Sequence, residues 1–150
     1  VKQFIFKLQT SLDVKHKREE LQEEALAEAT KIFLENTNVL TSLRLRLLDL
    51  QETLRGKQSN LINISDLLNY QVYIPVLLER IRQQETVTEE SRQAMEKARQ
   101  KLVQIIQERK ILENLRTKHY RAYVQECLWE EQKQIDEMAT VNFLRKDSAV

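Results

Sequence analysis

The side chains that most often carry chemistry are few and scattered in this 150-residue chain. His16 and His119 stand far apart, and neither has a second His or Cys three or four residues away, the spacing that places two metal ligands on one helical face. Cys127 is the only cysteine, so it forms no internal disulfide and joins no zinc cluster. Beside Glu126 it has no neighbouring cation to activate the thiol, and it reads as a small apolar residue on a helix. Gly56 is the only glycine, which leaves no glycine-rich loop to cradle phosphate. No Ser-His-Asp set falls where a pocket could form. No catalytic residue, cofactor or metal site is expected, and the sequence does not read as an enzyme.

The periodicity of the apolar residues is far stronger than any catalytic motif. Counting in sevens from Ile5 gives Ile5, Leu12, Glu19, Leu26, Phe33, Leu40, Leu47, Leu54, Leu61 and Leu68. The interleaved positions are Leu8, Lys15, Gln22, Ala29, Asn36, Leu43, Leu50, Lys57 and Ile64. A repeat of 3.5 residues held over so many heptads implies a helix supercoiled against a partner helix. The seam is densest from Leu40 to Leu54. At Lys15, Glu19 and Gln22 only alkyl or amide stems reach the interface, which weakens pairing locally and limits slipped registers.

Composition points the same way. One glycine and one proline cannot supply the turns of a sheet protein, and 31% charged residues with a mean hydropathy of -0.54 argue against a deep core. The net charge of +1 comes from 24 basic and 23 acidic side chains mixed along the chain, so no face offers the field that nucleic-acid binding requires. No run approaches the roughly 20 apolar residues of a membrane span, and VKQFIFKLQT is too short and interrupted for a signal peptide. With one unpaired cysteine, a reducing cytoplasm fits, and the sequon Asn63-Ile64-Ser65 reads as a chance match.

The expected architecture is all-α: one antiparallel two-helix coiled coil spanning 1–150, with an overhanging C-terminal helix. Helix one is expected over about 4–55, a tip over 56–66, and helix two over about 66–144. The tip GKQSNLINISD gathers Gly56, Ser59, Asn60, Asn63, Ser65 and Asp66, and Ser65 or Asp66 is the expected cap of helix two. Leu61 and Ile64 keep the heptad phase there, so the tip could carry a short helix. Pro75 predicts a kink or restart near 69–74, because it removes a hydrogen bond and clashes one turn back. A rival turn lies at 83–90, where Thr86 with Glu89, or Thr88 with Ser91, could form a capping box. With a reversal near residue 61, Phe4 faces the region of Lys118. Everything after about His119 then overhangs, including Tyr120, Tyr123, Val124, Leu128, Trp129, Ile135 and Met138, and an overhang of that kind implies a binding partner.

Two stretches hold more apolar surface than a seam needs. Ile74, Leu78 and Ile81 form one helical stripe, and Tyr70, Tyr73 and Leu77 form a neighbouring one. One stripe serves as seam; the other is either exposed for helix-in-groove contact or buried in a wider tip. In ECLWEEQKQIDEM, Trp129 and Ile135 sit among charges, as a contact surface or as a frayed amphipathic end.

The segments FIFKLQTSLDVK, NYQVYIPVLLERI and EEQKQIDEMATVNFLRK resemble the flagellar export protein FliJ family in order and spacing. The resemblance implies a coiled-coil stalk similar to that of the rotary ATPase gamma subunit, cytoplasmic and peripheral at the inner face of the cell membrane. Its implied partners are a hexameric export ATPase, the export-gate membrane protein and export chaperones, and the chain is expected to be a monomer alone. The gate contact implied is Tyr70, Tyr73 and Leu77, continued by Arg80 and Gln84. The implied ATPase contact is Gln132, Lys133, Asp136 and Glu137, beside Trp129. Pro75 departs from what that resemblance leads one to expect. Two alternatives stand beside it: an injectisome stalk of the YscO-like kind, and a homodimeric scaffold in which helix one pairs between chains.

Overall fold

In the computed structural model, which describes residues 3–58 and 63–149, two long helices pack against each other: α1 (Gln9–Gln58) and α2 (Ile64–Asp147). Among the described residues there is no strand. The rival turn is excluded, because 83–90 is helical throughout. The expected turn residues Ser59, Asn60 and Leu61 lie outside the described residues, as do the side chain of Lys57 and the short helix considered for the tip. The chain forms two compact units, one of Val1–Arg18 with Ile105–Val150 and one of Glu19–Gln104.

Within the Glu19–Gln104 unit, heptad position decides burial. Gln22, Leu26, Ala29, Phe33, Asn36, Leu40, Leu43, Leu47, Leu50 and Leu54 are all buried or half-buried. Leu21, Leu34, Leu45 and Leu48 are just as apolar, lie off the seam, and are exposed. The partner seam on α2 has the same spacing, through Tyr70, Ile74, Leu77, Ile81, Gln84, Thr88, Ser91, Met95 and Ala98. Its core is Leu40, Leu77 and Ile81, with Leu43, Leu47, Leu50 and Tyr73 packed around them.

The register is antiparallel: Gln22 Nε2 donates to the Ala98 carbonyl at 3.0 Å, and Gln84 Nε2 to the Asn36 carbonyl at 3.1 Å. The hydroxyl of Thr88 also reaches that carbonyl, at 3.4 Å. A reversal near 61 puts Asn36 opposite residue 86, and its two partners straddle that position. Thr88 and Ser91, considered above as cap residues, are instead buried seam residues. Within this unit the α1 seam is met by α2 of the same chain.

The start of α2 differs from expectation. Asn63, not Ser65 or Asp66, is the cap: its Oδ1 accepts from the Ser65 N–H at 3.3 Å, and its carbonyl from the Asp66 N–H at 3.1 Å. Asp66 lies in the first turn, where a carboxylate favours the helix dipole. Helix α2 also runs through Pro75 without a break. The carbonyl that Pro75 leaves without its helical donor belongs to Gln71, and both residues are exposed, where the missing bond costs least.

In the other unit, α1 begins at Gln9 instead of near Phe4. Residues 3–6 are not helical, and their burial follows a period of two: Phe6 is 6% exposed, Phe4 is half-buried, and Ile5 between them is 78% exposed. An extended lead turns both phenyl rings to one side, which a helix would not. The Phe4 ring lies 5.3 Å from Tyr120 and 5.5 Å from Tyr123, and Phe6 meets His119 edge-on at 5.9 Å. Tyr120 and Tyr123, expected to overhang, therefore have partners in the chain's own lead, as does His119 at the expected boundary. Leu12, in the same unit, is 1% exposed. Lys15 contributes more than its stem, pairing with Glu108, while His16 Nε2 lies 3.5 Å from Glu113.

Candidate functional site

The described residues hold no group of three or more His, Cys, Asp or Glu side chains placed to bind a metal. Cys127 is half-buried, and its side chain hydrogen-bonds Tyr123, which holds the phenol above its ordinary pKa chiefly for that reason. The concave features described are open grooves along helix surfaces. One is lined by Phe4, Glu113, Arg116, Thr117 and Tyr120, and another by Gln134, Glu137, Met138, Val141, Asn142 and Arg145. What the molecule offers is helix surface, in two places.

The first is the beginning of α2, in the Glu19–Gln104 unit. Of the residues expected to face a gate protein, Leu77 is 0% exposed and packs against Leu40 and Ile81. Gln84 is engaged with Asn36, its amide 3.4 Å from Oδ1 as well as bonded to the carbonyl. Tyr73 leans on the core while Arg46 covers its ring at 5.2 Å. Tyr70 is half-buried, and only Arg80 of the five is fully exposed. The correction is one of phase. Ile74, Leu77, Ile81 and Gln84 are spaced three, four and three apart and together face α1, so Leu77 belongs with Ile74 and Ile81. Leu78, grouped with them from the sequence, points out and is 46% exposed. The outward surface is instead Leu68, Val72, Val76 and Leu78, at 55%, 71%, 47% and 46%. Extrapolating the α1 repeat puts Leu68 on the seam, but the repeat restarts in α2 with a different phase.

The second surface is the end of α2, in the other unit. From Leu128 to residue 149 every residue is exposed. Trp129 is 66% exposed, with the Lys133 ammonium 5.8 Å from its ring centre. Gln132 donates to Asp136 at 2.8 Å one turn along. Trp129, Gln132, Lys133 and Asp136 share one helical face with Glu137 at its edge, because they recur at three and four residues. The structure thus brings these five residues together on open surface. The heptad pattern does not single out Val141, Phe143 and Leu144, which are exposed at 49%, 66% and 61%. Their run past the last seam position was the available signal.

Among the described residues no helix is long and apolar enough to cross a membrane. Residues 4–148 match the family model described as Flagellar FliJ protein. Comparison with curated proteins and with solved structures found no match.

Proposed function

The chain belongs to the Flagellar FliJ protein family, non-catalytic components of the flagellar export apparatus, and from that premise we propose that it is the apparatus's stalk. In this reading it enters the hexameric export ATPase, promotes its assembly and activity, links it to the export gate and escorts export chaperones. It works in the cytoplasm, held at the inner face of the membrane by those partners. The observation that supports this most directly is the exposed end of α2, where a polar face bearing Trp129 stands on a helix whose described residues from Leu128 onward are all exposed.

Such a face suits a stalk. Gln132, Lys133, Asp136 and Glu137 offer hydrogen bonds and charges that exchange readily with water, so contacts with successive ring subunits form and release without the cost of exposing a large apolar interface. One asymmetric helix pair cannot contact six subunits alike, so it biases which of them close on nucleotide. For the gate contact, the burial of Leu77 and Gln84 leaves Arg80, the exposed parts of Tyr70 and Tyr73, and the outward Val72, Val76 and Leu78 as the available surface.

The test is the hydrolysis rate of the cognate export ATPase titrated with the full chain and with a chain lacking residues 126–150. Stimulation that saturates near one chain per six ATPase subunits and is absent in the deletion is the expected result. No stimulation at any ratio would remove the stalk reading.

A further inference from the structure

The exposed end of α2 has a second face, pointing away from Trp129. Val124, Leu128, Ile135 and Met138 are 36%, 59%, 58% and 61% exposed. With Glu131 after Leu128 and Asn142 after Met138 they recur at intervals of four, three, four, three and four, the spacing of a coiled-coil seam. From Leu128 onward all its described residues are exposed. One turn earlier, Tyr120 stands in line with the same stripe, 51% exposed but with its ring against Phe4 at 5.3 Å. The stripe thus continues, along α2, a face that Phe4 partly pairs.

The charges along the stripe select what can lie there. Arg121 borders its start, Glu131 sits within its middle, and Arg145 and Lys146 border its end. Glu126, Glu130, Asp136 and Glu137 project from the other side of the helix and do not bear on it. A second copy is a poor occupant. Laid antiparallel about the middle, Glu131 meets its own counterpart and the basic end falls beside Arg116 and Lys118; laid parallel, every charge meets itself. We propose that this stripe is the docking face for one amphipathic helix of another protein, about three heptads long, whose flanking charges run acidic, basic, acidic. Because it lies opposite the Trp129 face, the two can be occupied together, and the proposal does not depend on the role assigned to that face.

Two synthetic three-heptad helices with leucine at both seam positions provide the test. One has Glu-Lys-Glu charge blocks flanking the seam and the other Lys-Glu-Lys, each titrated calorimetrically into the full chain. The first is expected to bind about tenfold more tightly, since each exposed pair contributes a fraction of a kcal/mol and three change sign. Leu128→Gln with Ile135→Gln abolishes its binding at unchanged helicity, Glu131→Lys narrows the preference, and Trp129→Ala leaves it unaltered. Equal affinity for both helices, binding by neither, binding that survives Leu128→Gln with Ile135→Gln, or sedimentation of the chain as a dimer through this stripe would each overturn the proposal.

Discussion

Replacing Leu77 by alanine separates a seam residue from a contact residue. Leu77 is 0% exposed and forms a core cluster with Leu40 and Ile81, against which Leu43, Leu47, Leu50 and Tyr73 pack. A buried Leu→Ala change costs about 2–5 kcal/mol, more where the cavity cannot collapse. A two-helix seam has solvent on both flanks and yields more easily than a closed core, so the lower part of that range applies, about 2–3 kcal/mol. For a chain of this size that is a fall of about 4–12 °C in Tm. Leu78, 46% exposed on the neighbouring position, is the internal control and loses less than about 1 kcal/mol on the same change. Urea unfolding followed by far-ultraviolet circular dichroism measures both, and an unchanged slope shows that the midpoint shift is a stability change. If Leu77→Ala unfolds within 0.5 kcal/mol of the parent, or Leu78→Ala proves the costlier of the two, the assigned phase of α2 is wrong. The contact surface would then return to Tyr70, Tyr73 and Leu77.

Two further outcomes follow from the same geometry. Asn36→Leu with Gln84→Leu replaces a hydrogen-bonded polar layer by an apolar one, which should raise the urea midpoint while loosening register. Cysteine pairs placed one heptad out of alignment, in a Cys127→Ser background, would then crosslink, and a single surviving register would show that other layers specify it. Glu89 accepts two hydrogen bonds from Arg92, at 2.9 and 2.7 Å, and its pKa lies below the ordinary carboxylate value chiefly for that reason. The pair's contribution is therefore fully present above the unfolded carboxylate's pKa and lost as pH falls through the lower folded value. Arg92→Ala should move the Glu89 titration, followed by NMR, back upward; an unmoved titration contradicts the assigned cause.

Much of this protein was legible in the chain itself. Nearly every heptad position from Leu12 to Leu54 is buried or half-buried, while off-seam leucines such as Leu45 and Leu48 are exposed. Periodicity dictates this without reference to the partner, because only one helical face can meet another helix. The open face of Trp129 to Glu137 was likewise visible, since a helix that outlasts its partner must present its remaining side chains to water.

What the sequence could not decide is phase and local cover. The α1 repeat, carried forward, assigned Ile64 and Leu68 to the seam, yet they are 74% and 55% exposed because a reversal between helices resets which face looks inward. Leucines 77 and 78 are chemically identical, and only the placement of Leu40, Leu43 and Leu47 opposite them decides that the first is core and the second surface. In the same way, nothing local tells that Phe4 and Phe6 leave the helix. Their rings are buried only because His119, Tyr120 and Tyr123, more than a hundred residues along, come to lie beside them. Periodicity is a property of one helix and is written in its sequence; which positions face inward is a property of two surfaces, and only the tertiary contact supplies the second.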